Sequence, residues 1–150
     1  MEYKYTSKNV QDTIELAQNI ESEKFPGMII CLDGELGSGK TVFVKGFANA
    51  MGITETITSP TFNLVKEYQG PEGKLFHMDV YRLEIACENV GFDDYFDGKA
   101  ISIIEWSDLI CNCLPENRLD IKIKVLDENT RVFKIIPHGQ EYEELCEAIL

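Results

Sequence analysis

Eight consecutive residues, Gly34-Glu35-Leu36-Gly37-Ser38-Gly39-Lys40-Thr41, satisfy the pattern G-x-x-x-x-G-K-[ST] at every position. An apolar run, Met28 to Leu32, precedes them. A helical pattern from Lys40 to about Met51 follows and is stopped by Gly52. In this strand–loop–helix setting the glycines let the backbone wrap closely around an anion, with several N–H groups aimed inward. The helix adds the positive end of its dipole. Lys40 is long enough to reach the β- and γ-phosphates of a nucleotide, and the Thr41 hydroxyl suits Mg²⁺. A chance glycine-rich loop would need neither the full register nor this setting.

A loop of this kind needs a carboxylate from a neighbouring strand to hold the cation or its waters. Two acids end apolar runs: Glu105 after Ile101-Ser102-Ile103-Ile104, and Asp79 in Lys74-Leu75-Phe76-His77-Met78-Asp79. The run before Glu105 has the character of a central buried strand, so Glu105 is assigned to the metal. Asp79 is assigned to positioning water, acting as a base, or holding metal through water. His77 lies two residues from Asp79, on the same face of a strand, which would bring both toward a γ-phosphate or a partner. Arg82 could stabilise phosphate charge or pair with a surface acid. Tyr81 belongs to the same segment. Trp106, the single tryptophan, follows Glu105 and would report nucleotide binding by fluorescence if it lies near the site. Ser59-Pro60-Thr61-Phe62 falls between the helix and the next strand. It is either a proline turn or a loop whose hydroxyls sense the γ-phosphate, as switch loops do.

The elements that must carry these residues are legible in outline. Tyr3 to Tyr5 starts a short strand. Thr6 or Ser7 caps a helix to about Ile20, with Val10, Ile14, Leu16, Ala17 and Ile20 on its apolar face. Met28 to Leu32 is apolar throughout, as in a strand buried on both sides. Thr61 to Tyr68 and Lys74 to Arg82 form a hairpin through a five-residue loop, Gln69 to Gly73. Glu84 to Val90 and Trp106 to Cys113 are short helices, and Ala100 to Ile104 is a further strand. Leu119 to Leu126 and Arg131 to Ile136 pair across the turn Asp127-Glu128-Asn129-Thr130, and Gln140 to Leu150 is an amphipathic helix. Parallel-type strands mixed with hairpins predict one α/β domain over residues 1–150. Its architecture is that of a P-loop NTPase, with three layers and a central mixed, largely parallel sheet flanked by helices.

Composition restricts the function. A chain of 150 residues with 44% hydrophobic and 27% charged residues can bury an ordinary core. No apolar run approaches the length of a membrane span, and the start Met1-Glu2-Tyr3-Lys4-Tyr5 does not resemble a secretory signal. The net charge of −12 argues against this chain gripping RNA by itself. Five scattered cysteines, Cys31, Cys87, Cys111, Cys113 and Cys146, read as reduced thiols in a cytoplasmic protein.

In order and spacing, Gly34 to Thr41, Ser59-Pro60-Thr61-Phe62, His77-Met78-Asp79-Val80-Tyr81-Arg82 and Ile104-Glu105-Trp106 resemble the TsaE (formerly YjeE) family over roughly residues 5–137. The resemblance implies a small bacterial ATPase needed to make threonylcarbamoyladenosine, the modification next to the anticodon in tRNAs reading codons that start with A. It implies two partners, TsaD and TsaB. TsaD transfers the threonylcarbamoyl group, and tRNA is met only through the complex. By the same analogy Thr41 and Glu105 bind Mg²⁺. Gly37, Ser38, Gly39, Lys40, Thr41 and Val42, with Gly34 and Leu36 of the same loop, hold ATP. Lys40 and Asp79 serve hydrolysis, which is weak outside the complex, and Arg131 lies close to the nucleotide. Residues 59–62, His77, Tyr81, Arg82 and Trp106 couple the site to partners. Ser107, and the segment Cys87 to Gly91, depart from the family's habit away from the phosphate residues.

Two other functions share the loop. A P-loop small-molecule kinase needs an acceptor site and an arginine-bearing lid, and this chain has only Arg82, Arg118 and Arg131. A nucleotide-dependent interaction module would use ATP to order residues 59–62 without meaningful turnover.

Overall fold

Alternation between two hydrophobic layers organises this chain around one seven-stranded sheet. The computed structural model describes residues 1–35, 37–58, 65–79, 96, 98–105 and 114–150. The strands are β1 (Tyr3–Ser7), β2 (Ile29–Gly34), β3 (Val65–Gly70), β4 (Gly73–Asp79), β5 (Ile101–Glu105), β6 (Arg118–Val125) and β7 (Arg131–His138). The helices among the described residues are α1 (Val10–Ser22), α2 (Lys40–Ala50) and α3 (Gln140–Ile149).

The strand order is β1-β7-β6-β2-β5-β4-β3. The middle four strands, β6, β2, β5 and β4, are mutually parallel, and antiparallel pairs close both flanks. This is the mixed, largely parallel sheet expected from the apolar runs. In β2, Ile30 and Leu32 face a large cluster that also takes Leu16, Ala17 and Ile20 of α1, Phe43, Val44 and Phe47 of α2, and Tyr142, Leu145 and Cys146 of α3. Ile29 and Cys31 face a smaller cluster with Phe76, Met78, Ala100 and Ile104, against which Val65, Phe96 and Leu114 pack. Burial on both sides explains why β2 and β5 are apolar without alternation. All three described helices pack into the larger cluster. The helices expected at 84–90 and 106–113 lie outside the described residues.

Local chemistry sets the element ends. Helix α1 is capped by Asn9, not by Thr6 or Ser7, because those two remain in β1. The Asn9 side chain accepts from the Asp12 N–H at 2.8 Å, and the Asp12 carboxylate accepts from the Lys8 N–H at 2.9 Å. The Ser7 hydroxyl instead donates to the Asn9 carbonyl and shares a buried contact with Thr13, 2.7 Å in each case. Val10, expected on the apolar face, is exposed. The β3–β4 hairpin is tighter than its sequence suggests. Pairing continues to Gly70 opposite Gly73, leaving Pro71-Glu72 as a two-residue turn in place of the five-residue loop. Gly46 in the middle of α2 answers to packing: a Cβ there would come within 3.2 Å of Ala17 and Ile14 on α1. That contact offsets the ~1 kcal/mol by which glycine weakens a helix. No helix among the described residues is long and apolar enough to cross a membrane.

Candidate functional site

Strand β2 delivers the chain to the phosphate-type loop at Gly34, and α2 leaves it at Lys40. The glycines serve two different needs. Gly37 (φ 79°) and Gly39 (φ 105°) adopt the left-handed conformation that side chains disfavour. Gly34 is there for space: a Cβ would lie 2.6 Å from the Ser38 hydroxyl oxygen and 3.1 Å from the Ile123 carbonyl on β6. The Ser38 N–H donates to the Glu35 carbonyl at 3.0 Å, closing the loop on itself. The Ser38 hydroxyl is buried and has no hydrogen-bond partner among the described residues.

Lys40 opens α2 and turns its ammonium back over the loop, donating to the Gly34 carbonyl. Burial pushes its pKa below the ordinary 10.5, and the charges of Glu105, Asp79 and Asp33 oppose that shift. The Lys40 ammonium therefore stands among three carboxylates of the described residues, at the C-terminal ends of β2, β4 and β5. The register explains why they meet. Asp79 pairs with Glu105 across the parallel β4–β5 ladder, and Glu105 pairs with Leu32 across β2–β5. Open α/β sheets bind ligands at this edge.

Glu105 is buried, and His77, wholly buried, bonds its carboxylate through Nε2. The His77 Nδ1 has no partner among the described residues; toward an ionised carboxylate, which only accepts, Nε2 is the donor of the pair. Sequence spacing put His77 beside Asp79 as a group facing a phosphate or a partner; its contact is inward, to the neighbouring strand-end acid. Asp79 is half-buried at the rim. Thr41 and Val42 follow Lys40 in the first turn of α2, both half-buried.

Arg131, at the start of β7, does reach the loop, through its backbone. Its Nε donates to the Ser38 carbonyl at 3.2 Å and its Nη2 to the Gly37 carbonyl at 3.3 Å. Two contributors escaped sequence reasoning. Asp33, to which the sequence assigns no role, puts its charge on Lys40. Asp127 was read only as part of a turn, yet that turn cradles the Arg131 guanidinium through the Asp127 carbonyl at 2.8 Å. Leu36, Ser59, Pro60, Thr61, Phe62, Tyr81, Arg82 and Trp106 lie outside the described residues.

Comparison with known proteins gives the family and supports the fold. The sequence model of the family described as "Threonylcarbamoyl adenosine biosynthesis protein TsaE" matches residues 7–133. The tRNA threonylcarbamoyladenosine biosynthesis protein TsaE of Bacillus subtilis (strain 168) is 41% identical over 146 residues, spanning 97% of this chain and 92% of that protein. The protein of the same name from Treponema pallidum (strain Nichols) is 38% identical over 133 residues, spanning 83% and 93%. The crystal structure of Bacillus subtilis YdiB superposes with a TM-score of 0.87 at 37% identity, covering 99% of this chain and 94% of that one. With its family model matched over residues 7–133 and a relative 41% identical across nearly its whole length, this chain belongs to the TsaE family of tRNA threonylcarbamoyladenosine biosynthesis proteins.

Proposed function

We propose that this chain binds ATP with Mg²⁺ at residues 34–42 and hydrolyses it as an accessory subunit of tRNA threonylcarbamoylation, acting in the cytoplasm beside TsaD and TsaB. The observation that carries the reading is the placement of Lys40. One partly desolvated ammonium sits over a loop with two left-handed glycines, among three acids at the sheet edge. Loop N–H groups and Lys40 would hold the triphosphate, since charge-assisted bonds in a sheltered site are the strong ones.

The residues present suit a hard cation. Thr41 offers a hydroxyl and Glu105 a carboxylate, the oxygen donors Mg²⁺ prefers alongside phosphate oxygens and water. Bound there, Mg²⁺ would neutralise charge on the β- and γ-phosphates. His77 fixes the Glu105 carboxylate from behind, leaving it suited to a static role. Asp79, the register partner of Glu105 on the neighbouring strand and half-buried at the rim, is better placed to orient a water for attack. A site that holds ATP and activates water fits slow intrinsic turnover that rises when partners complete it. The acidic balance of the chain fits tRNA being carried by another subunit.

Calorimetry with Mg²⁺–ATP, followed by phosphate release with and without TsaD and TsaB, tests the proposal. Uptake of nucleotide should fall sharply for Thr41→Ala and Glu105→Gln at low Mg²⁺, and phosphate release should rise with the partners. A folded chain that takes up no nucleotide, alone or in their presence, would overturn it. Phosphate delivered to an added metabolite would indicate a kinase instead.

A further inference from the structure

The contacts of Arg131 have a geometry that a simple phosphate-binding arginine would lack. All three guanidinium nitrogens donate to backbone carbonyls. Nε and Nη2 take Ser38 and Gly37 of the loop, and Nη1 takes Asp127 (2.8 Å), Thr130 (3.2 Å) and Glu128 (3.3 Å) of the β6–β7 turn. The turn is itself built around a charge. The Asp127 carboxylate accepts the N–H groups of Asn129 and Thr130 at 3.0 and 2.8 Å, and those bonds hold its pKa below the ordinary 3.8. The Leu126 N–H closes the turn on the Thr130 carbonyl at 3.0 Å.

Peptide planarity converts these contacts into control of the loop. The Gly37 carbonyl and the Ser38 N–H belong to one rigid trans peptide and point in opposite directions; so do the Ser38 carbonyl and the Gly39 N–H. Fixing the two carbonyls therefore fixes the direction of the two N–H groups. This stretch most needs fixing, because Gly37 and Gly39, both in the left-handed region, flank a single residue and glycine is the most conformationally free residue.

Resting on the nucleotide reading above, we infer that Arg131 is a positioning residue. It is a brace, set by the Asp127 turn, that holds the loop in the closed form in which the Ser38 N–H meets the Glu35 carbonyl at 3.0 Å, so that its remaining amides are preorganised for phosphate, without contacting the phosphate itself. A forked guanidinium spans both carbonyls and the turn, which a lysine ammonium cannot do. A brace acts on every nucleotide that uses those amides, whereas a contact to the terminal phosphate would act on ATP alone.

The test is titration of ATP and of ADP into Arg131→Met, Arg131→Lys and Asp127→Ala, with amide hydrogen exchange on each free protein. Arg131→Met should weaken ATP and ADP by the same factor, roughly tenfold, the scale of a lost charge-assisted restraint. Arg131→Lys should fail to restore binding. Asp127→Ala, on an exposed turn, should weaken both nucleotides less and add little to Arg131→Met. The Ser38 amide should exchange faster in Arg131→Met while the amides in the middle of α2 keep their protection. A loss confined to ATP, full affinity in Arg131→Lys, or unchanged Ser38 exchange would each overturn the inference. Wild-type protein binding no nucleotide would instead sink the proposed function, and the exchange measurement would still decide whether the brace exists.

Discussion

Gly34→Ala should destabilise the protein through one identifiable collision, and a second substitution should relieve it. The added Cβ would lie 2.6 Å from the Ser38 Oγ, a separation real Cβ atoms essentially never show. It would also lie 3.1 Å from the Ile123 carbonyl and 3.2 Å from the Ile123 Cβ. Ser38 is wholly buried and β6 is hydrogen-bonded to β2 at this rung, so neither side yields freely. Overpacking of this kind costs about 1–3 kcal/mol. For a chain of this size that is a fall in Tm of about 2–12 °C. Ser38→Ala alone should cost little, since its hydroxyl has no partner among the described residues. In the double variant the 2.6 Å collision disappears, leaving contacts that need only a few tenths of an ångström of adjustment. The coupling should therefore be favourable, on the order of 1 kcal/mol. Thermal unfolding of the four proteins followed by circular dichroism measures it. A double variant as unstable as the sum of its parts would show that Gly34 is required for a reason other than room for Ser38.

Three further outcomes follow from other parts of the molecule. Lys40→Met should abolish ATP binding yet hold or raise Tm at neutral pH. The folded-state pKa of Lys40 is depressed, so its burial outweighs attraction by the three acids and its ionised form is disfavoured; a Tm lower by several degrees would refute that balance. Tyr142→Phe removes the buried acceptor of the Ile29 N–H, 2.9 Å away at the start of β2. Orphaning that donor costs about 1–3 kcal/mol, read as a Tm lower by about 2–12 °C, and an unchanged melt would contradict it. Burial pushes the Cys146 thiol from 9.0 up to about 11. The native protein should therefore resist alkylation at Cys146 at pH 8, by peptide mapping. Because the folded form holds its proton longer, Cys146 stabilises the fold below pH 9 and loses that contribution as pH rises through about 11. Rapid native labelling at pH 8 would count against this.

What the sequence disclosed was local. The loop, its flanking strand and helix, and the two strand-end acids are contiguous patterns, and the parallel centre of the sheet follows from uninterrupted apolar runs such as Met28 to Leu32. What it hid depends on register between distant segments. His77 meets Glu105 across 28 positions and Arg131 meets Ser38 across 93; spacing along the chain encodes neither. Near misses arose where several residues could do the same work. Ser7 and Asn9 are both competent caps, and tertiary use of the Ser7 hydroxyl by Thr13 decides between them. The Pro71-Glu72 turn is shorter than its glycines suggested because Gly70 and Gly73 are the last paired residues of their strands.

The strand order also has a consequence for biosynthesis. Within the sheet β1 is bonded only to β7, which follows it by more than 120 residues. At ribosomal rates of about 5–20 residues per second, the emerging β1 would lack its bonding partner for on the order of 6–25 s. Arg131 lies on that same late strand, so a half-made polypeptide could carry its entire glycine loop and still lack the guanidinium that bonds the Gly37 and Ser38 carbonyls.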